Sequence, residues 1–381
     1  MLPFYGAAPS FHGQIDTYTV LLVDEESGEI MINPERMIHF LEQNRLDALW
    51  IQKNENVRYI SGFSGADSYL FLTKEKGYLV TDSRYVGQAS EECPAFTVVD
   101  YRGKLAQELS ALSVKHTVRR FGIENVLTHK MYLELAGVMN QVEFVFCEPD
   151  ILRQIKTEEE LHYIAEACRI SDEGFKKTVP FIRSGKTEKE LRAILECAMM
   201  EAGSDGKSFD TIVASGLHSA YPHATPTDKP IAEGELVTFD FGAIYKGYHS
   251  DITRTVAVGT ISDQLRFMYD SVHDCVVHIE SMLRPGLKAC DVDQEARMFL
   301  KERELDSYFA HALGHGVGLE IHETPVFAPR DKTIVRENMV ETVEPGVYIP
   351  GIGGVRIEDT VVLTGDGNQP LTKFPKDFLR V

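Results

Sequence analysis

From Pro34 onward, apolar and polar positions alternate regularly enough to predict elements. PERMIHFLEQNRL places Met37, Phe40 and Leu41 at helical spacing, which predicts an amphipathic helix. DALWIQ follows as a short apolar run with the character of a buried strand. SYLFLT, KEKG and YLVTDS together predict a β-hairpin with Gly77 at the turn. Short strands and helices alternate as far as FVFCEP, residues 144–149, so this part predicts a small α/β domain. It contains neither a phosphate loop nor a G-x-G-x-x-G motif.

The pattern changes at ILRQIKTEEEL. Thr157 followed by Glu160 is a capping box and predicts a long helix to about Lys177. Thr187 and Glu190 repeat the signal for a second helix. Strand-like segments then dominate from Phe209 to Val258. Two further helices are predicted over about 262–283 and 290–304, followed by a strand-rich part from His311. Helices flanking an antiparallel sheet predict an α+β domain. The expected organisation is therefore a domain over 31–155 and a second over 156–381. Residues 1–30 read least clearly. DTYTVLLVDEESGEI has the character of a strand and turn, and Met31 is a second potential start, so 1–30 are read as an N-terminal extension without an assigned role.

Composition adds exclusions. A chain of 381 residues suits two domains, and 43% hydrophobic with 25% charged residues is the balance of a soluble globular protein. No apolar run is long enough to span a bilayer, and MLPFYGAAPSFHGQ lacks the basic start and apolar stretch of a secretory signal. The six cysteines are scattered without a C-x-x-C pair, which is expected of reduced thiols in a cytoplasmic protein. A formal net charge of −19 disfavours nucleic acid and anionic membrane as partners, because both need a basic footprint.

Seven polar residues look out of place in strand-like segments of the second domain. Asp240 and Asp251 stand in TFDFGAIYKGYHSDITRT, residues 238–255, on two predicted strands around a Gly-rich turn. Aspartate is a poor strand former and resists burial. The others are His223 in SAYPHATP, His315 and His322 in GHGVGLEIHE, Glu344 in VETVEPGVYIP and Glu358 in GGVRIEDT. Asp240, Asp251, His315, Glu344 and Glu358 carry side chains able to ligate metal. Four carboxylates gathered at one buried point repel one another, and two divalent cations would cancel their charge. Such ions, about 3.5–4 Å apart, can hold a hydroxide between them. Four carboxylates with one imidazole favour Mn²⁺, Co²⁺ or Fe²⁺ and leave Zn²⁺ open.

Each residue also has an ordinary reading. Asp251 suits a turn, Asp240 a lysine pair, His315 a tight turn between glycines, Glu344 the start of a Pro-Gly turn, and Glu358 a solvated strand end. A lone histidine such as His223 more often makes a structural hydrogen bond. The interval from His315 to His322 is not the H-E-x-x-H zinc pattern.

Taken together and in this order, the motifs resemble those of the Xaa-Pro peptidases, the prolidase and aminopeptidase P branch of the methionine-aminopeptidase-like pita-bread metalloenzymes. The resemblance covers roughly residues 34–381. It implies a creatinase-like α/β N-terminal domain and an α+β pita-bread catalytic domain. Asp240 matches the first aspartate ligand, Asp251 the bridging one, His315 the histidine ligand, and Glu344 and Glu358 the two glutamates. His223 and His322 match two active-site histidines that are not ligands. The resemblance implies two divalent ions, Mn²⁺ foremost with Co²⁺, Fe²⁺ or Zn²⁺ as alternatives, holding a bridging hydroxide. Glu344 would be the general base, and His322 would donate to the carbonyl oxygen as it becomes anionic. His223 would position the substrate and the leaving proline. Arg356 and Thr253 would support ligand carboxylates. The substrate would be an Xaa-Pro dipeptide or short peptide, and the assembly a homodimer.

One departure bears on substrate length. Some prolidases carry an arginine four residues after the second histidine, where it is thought to bind the dipeptide carboxylate. Here that position is Val326, with Arg330 nearby. The dipeptidase expectation therefore stands beside an aminopeptidase acting on longer peptides. An inactive peptide-binding pita-bread module is the alternative from another class, and the retained ligand set opposes it. Methionine aminopeptidases normally lack a domain like 34–150, and creatinase lacks the metal set.

Overall fold

The computed structural model describes residues 34–381. The strand and turn expected in DTYTVLLVDEESGEI lie outside the described residues. The first domain is built on a six-stranded mixed sheet. Its spatial order is Thr97–Asp100, Gly77–Thr81, Tyr69–Thr73, Ala48–Ile51, Arg120–Glu124, Glu143–Cys147. Strand side chains alternate between faces, so each strand feeds two cores. Leu49, Ile51, Leu70, Leu72 and Leu79 pack with Met37, Phe40 and Leu41 of the helix Pro34–Gln43. Ala48, Trp50, Phe71, Tyr78 and Val80 pack on the other side with Leu105 and Leu109 of the helix Leu105–Lys115. The hairpin pairs Tyr69–Thr73 with Gly77–Thr81, but its bend is at residues 74–76 and Gly77 opens the second strand. A side chain at Gly77 would meet the Phe96 ring at 2.8 Å, so close packing rather than turn geometry favours glycine there.

The second domain has two halves, each a helix pair packed on a sheet. Both capping boxes are present, at Thr157 before the helix Glu158–Thr178 and at Thr187 before the helix Glu188–Glu201. Phe175, Leu191 and Leu195 of these helices pack on Val213, Phe239, Phe241 and Val256. The sheet beneath runs in the order Leu379–Arg380, Ile252–Ala257, Leu236–Phe241, Ile212–Ser215. The second helix pair, Asp263–Met282 and Ala289–Lys301, contributes Val272, Val276, Ile279, Val292 and Leu300 to a core with Phe327, Val343, Val361 and Leu363. That sheet is antiparallel and runs Glu323–Phe327, Gly314–Gly316, Val340–Val343, Asp359–Thr364, Gly367–Pro370. An isolated β-bridge between Thr253 and Glu358 links the two sheets, and Glu358 N–H donates to the Thr253 carbonyl at 3.1 Å.

Strands cover less of 209–258 than the pattern predicts. A 3₁₀ turn at Gly216–Ala220 and an irregular stretch over 221–235 separate Ile212–Ser215 from Leu236–Phe241. Pro222, Pro226 and Pro230 lack the amide donors a ladder needs. All six cysteines are free thiols. Among the described residues, no helix is long and apolar enough to cross a membrane.

Candidate metal centre

The site forms where the two halves meet. Of the seven singled-out residues, Asp240 and His315 lie within strands, and Glu358 forms the bridge to Thr253. Asp251 immediately precedes the strand Ile252–Ala257, His322 immediately precedes Glu323–Phe327, and Glu344 immediately follows Val340–Val343. His223 lies in the irregular stretch. The expectation that all seven sit on strands is corrected accordingly. At a strand end the ladder no longer dictates side-chain direction, so these groups can converge on one point.

Glycines allow that convergence. A Cβ at Gly314 would lie 2.0 Å from the Thr342 carbonyl oxygen, and one at Gly242 would lie 1.9 Å from that of Ser250. Only glycine lets the His315 strand press against its neighbour and the chain before Asp251 fold back under the Asp240 strand.

One ligand-capable atom each from Asp251, His315 and Glu358 lies within 4.8 Å of the others. His315 Nε2 is 3.6 Å from Asp251 Oδ2 and 3.5 Å from Glu344 Oε1. Its Nδ1 faces the Gly316 carbonyl at 3.0 Å, which assigns the ring proton to Nδ1 and turns the Nε2 lone pair toward the two carboxylates. Burial lowers the imidazole pKa to about 4, so His315 is neutral near pH 7. Two carboxylates facing a lone pair are unfavourable without a cation between them.

The carboxylates agree with this. Asp240 Oδ1, Asp251 Oδ1 and Glu358 Oε1 are buried without a hydrogen-bond partner. Burial, then the charge of Glu358, raises the Asp251 carboxyl well above its ordinary range, with Asp240 and Glu344 adding to it. Glu344 is raised well above its range by burial and then by Glu358. Burial followed by Asp240 brings Glu358 to about 8. Buried oxygens with no donor and mutual repulsion among carboxylates fit a site for hard divalent cations.

The second oxygens of Asp240 and Glu358 are tied. Arg356 donates to Asp240 Oδ2. Its Nε reaches Thr253 Oγ1 at 3.1 Å, and Thr253 Oγ1 donates to Glu358 Oε2 at 2.6 Å. Arg356 Nη1 also reaches the Tyr348 hydroxyl at 2.6 Å and the Pro222 carbonyl at 3.1 Å. One buried guanidinium thus connects Asp240, Thr253 and the segment carrying His223. Thr253→Val removes both hydroxyl links. It should weaken Mn²⁺ affinity or turnover by about 10–100-fold, the usual cost of losing a supporting hydrogen bond at a metal site. Calorimetric Mn²⁺ titration tests this, and unchanged affinity would show that Glu358 is held without Thr253.

The exposed histidines flank the cluster. The His322 ring lies 4.4 Å from that of His315, centroid to centroid. Partial loss of hydration against the site lowers its proton affinity, Asp240 opposes this, and His223 reinforces it. The segment before His322 is anchored by charge. Arg153 pairs with Glu320 and Glu323, Lys156 Nζ lies 2.6 Å from Glu323 Oε2, and Lys53 of the first domain lies 2.5 Å from Glu320 Oε2.

Sequence reasoning missed His311 and Tyr348. His311 Nε2 is 3.0 Å from the Tyr348 hydroxyl, and its Nδ1 faces the Ala312 carbonyl at 2.7 Å and lies 3.9 Å from Glu344 Oε2. Burial, helped by Arg356, lowers its pKa to about 4. The available signal was spacing: His311 stands four residues before His315, and Tyr348 four after Glu344.

A model of metallopeptidase family M24 matches residues 162–365, more than half of the chain. The chain belongs to that family. It is a metal-dependent hydrolase with the pita-bread fold. A model described as the creatinase/prolidase N-terminal domain matches residues 35–155. An Xaa-Pro dipeptidase of Pyrococcus horikoshii is 39% identical over 348 residues, 91% of this chain and 98% of that protein. Among solved structures, an Xaa-Pro dipeptidase from Bacillus anthracis has a TM-score of 0.88 at 38% identity, covering 92% of this chain and 100% of the other. An X-Pro aminopeptidase from Thermotoga maritima has a TM-score of 0.84 at 34% identity, covering 92% and 99%.

Proposed function

We propose that this M24 enzyme cleaves the Xaa-Pro imide bond through a dinuclear metal centre, with dipeptides as favoured substrates. The observation that carries the reading is the meeting of buried Asp240, Asp251, His315 and Glu358 with the half-buried Glu344, with unpartnered oxygens on the two aspartates and Glu358 and the His315 Nε2 lone pair facing Asp251 and Glu344. The substrate class is supported by relatives described as Xaa-Pro dipeptidases. Two divalent cations held by these five residues, Mn²⁺ before Co²⁺, Fe²⁺ or Zn²⁺, would supply Lewis acidity and lower the pKa of a water between them.

The chain's own groups do the rest. Glu344 Oε1 receives only a weak 3.4 Å bond from Thr342, which leaves the carboxylate able to take a proton and pass it to the leaving amine. His322, exposed beside His315, donates to the carbonyl oxygen as negative charge develops. His223 positions the substrate and the leaving proline. Arg356 and Thr253 keep Asp240 and Glu358 oriented.

The longer-peptide reading is favoured by one observation. Val326 pairs directly with His315 across the sheet, and residues opposed in this way share a face. The flank of the site nearest His315 is therefore apolar at a position where an arginine could hold a dipeptide carboxylate. Ala-Pro and Ala-Pro-Ala should be compared on protein stripped with chelator and resupplied with Mn²⁺ or Co²⁺. Metal-dependent cleavage favouring Ala-Pro is the expected result. Preference for Ala-Pro-Ala would assign an aminopeptidase. Cleavage of neither, with metal bound, would overturn the substrate reading while leaving the site. We also assign the enzyme to the cytoplasm as a homodimer, supported by its six free thiols and by the family resemblance.

A further inference from the structure

We propose that Glu188 is a positioning residue for His223, acting as a clasp that closes the loop on which His223 stands. This rests on the reading above in which His223 acts on the substrate. Glu188 opens the helix Glu188–Glu201 and is fully buried. Its Oε1 accepts from Ser215 N–H at 2.8 Å and from Ser215 Oγ at 2.9 Å. Its Oε2 accepts from Thr227 N–H at 2.9 Å and from Thr227 Oγ1 at 2.8 Å. His218 Nδ1 lies 3.0 Å and 2.9 Å from the two oxygens.

Ser215 is the last residue of its strand, and Thr227 lies beyond His223. One carboxylate therefore ties both ends of the loop, and His218 ties a point within it. The loop meets the metal centre on its other side, where Gly354 N–H donates to Ser219 Oγ at 2.8 Å and Arg356 holds the Pro222 carbonyl. His223, next in sequence, is exposed, as are Leu217 and Tyr221. Beside His223 the loop's apolar packing is small, with Ala224 set against Ile212 and Ala214, so the polar ties do most to set its position.

The chemistry calls for a carboxylate. All the partners offer N–H or O–H groups, and a carboxylate is the side chain that accepts at both atoms without donating. Hydrogen bonds lower the Glu188 pKa despite the opposing effect of burial, so it stays ionised near neutral pH. An amide of the same shape would turn an NH₂ against the N–H of Ser215 or Thr227, leaving buried donors facing one another.

The test is a double-mutant cycle on the Mn²⁺-loaded enzyme with Ala-Pro, joined to histidine-ring NMR on the metal-free protein. Glu188→Gln is expected to lower kcat/KM by on the order of 10-fold to 10²-fold, the scale of a misplaced catalytic geometry. It should cost little further in the His223→Ala background. The His223 ring signals, assigned with His223→Ala, should shift or broaden in Glu188→Gln while those of His315 hold. Equal losses in both backgrounds would overturn the proposal and mark Glu188 as merely structural. If His223→Ala alone leaves kinetics unchanged, the clasp has nothing to position and the proposal falls, whereas metal-dependent turnover would keep the hydrolase reading. Thr227→Ala, which removes one hydroxyl donor and keeps the backbone, repeats the cycle should Glu188→Gln fail to fold.

Discussion

Asp251→Asn is expected to reduce Mn²⁺-dependent turnover by more than the roughly 10–100-fold that loss of a supporting hydrogen bond costs. The substitution keeps shape and volume nearly constant, removes a charge, and places an NH₂ where a carboxylate oxygen stood. Asp251 Oδ2 lies 3.6 Å from His315 Nε2, and its Oδ1 is buried without a partner, so neither oxygen holds the fold together. Folding should survive. In chelator the variant should melt no lower than the parent, because one member of a mutually repelling set has become neutral. Turnover near the parental level would remove Asp251 from the ligand set. Lost turnover with parental Mn²⁺ affinity would assign it a role in the chemistry but not in holding metal.

Stripping the metal should expose a pH dependence that the loaded enzyme lacks. Burial and then Asp240 take Glu358 from an ordinary 4.5 to about 8, and Asp251 and Glu344 are raised well above their ordinary values. A carboxyl that binds its proton more tightly when folded stabilises the fold fully below its unfolded pKa. That contribution is lost as pH rises through the folded value. Metal-free protein should therefore lose the Glu358 contribution between about pH 4.5 and about pH 8, and those of Asp251 and Glu344 as pH rises in the same sense. Asp359 and Glu323 are shifted the other way and contribute stability that is lost toward acid. The informative quantity is thus the difference in Tm between Mn²⁺-loaded and stripped protein, in which those groups cancel. It should widen across the window, and at free metal 100 times Kd each ion adds about 2.7 kcal/mol. A difference that stays flat from acid to neutral pH would show that the carboxylates are not gathered as described.

Much of the fold was legible because its signals are local. Capping boxes at Thr157 and Thr187, helical spacing in PERMIHFLEQNRL, and alternation in the hairpin depend on neighbours within a few residues, and each produced the expected element. Strand limits were less legible. Whether Asp251, His322 or Glu344 falls inside a strand depends on a ladder partner far away in sequence, and all three fall just outside. The candidate ligands were legible as types in a known order, since carboxylates flanked by apolar residues are unusual on their own.

The sequence by itself thus determined the two-domain plan, the helices and the identities of the chemically unusual residues, because backbone propensity, capping and side-chain chemistry are properties of short segments. Only the tertiary structure decided which oxygens face one another, that a single guanidinium joins Asp240 to the His223 loop, that His311 and Tyr348 belong to the same network, and that Glu188 ties Ser215 to Thr227. Those contacts join distant parts of the chain. Their energies depend on burial and on distances of a few ångströms, which no local pattern of residues encodes.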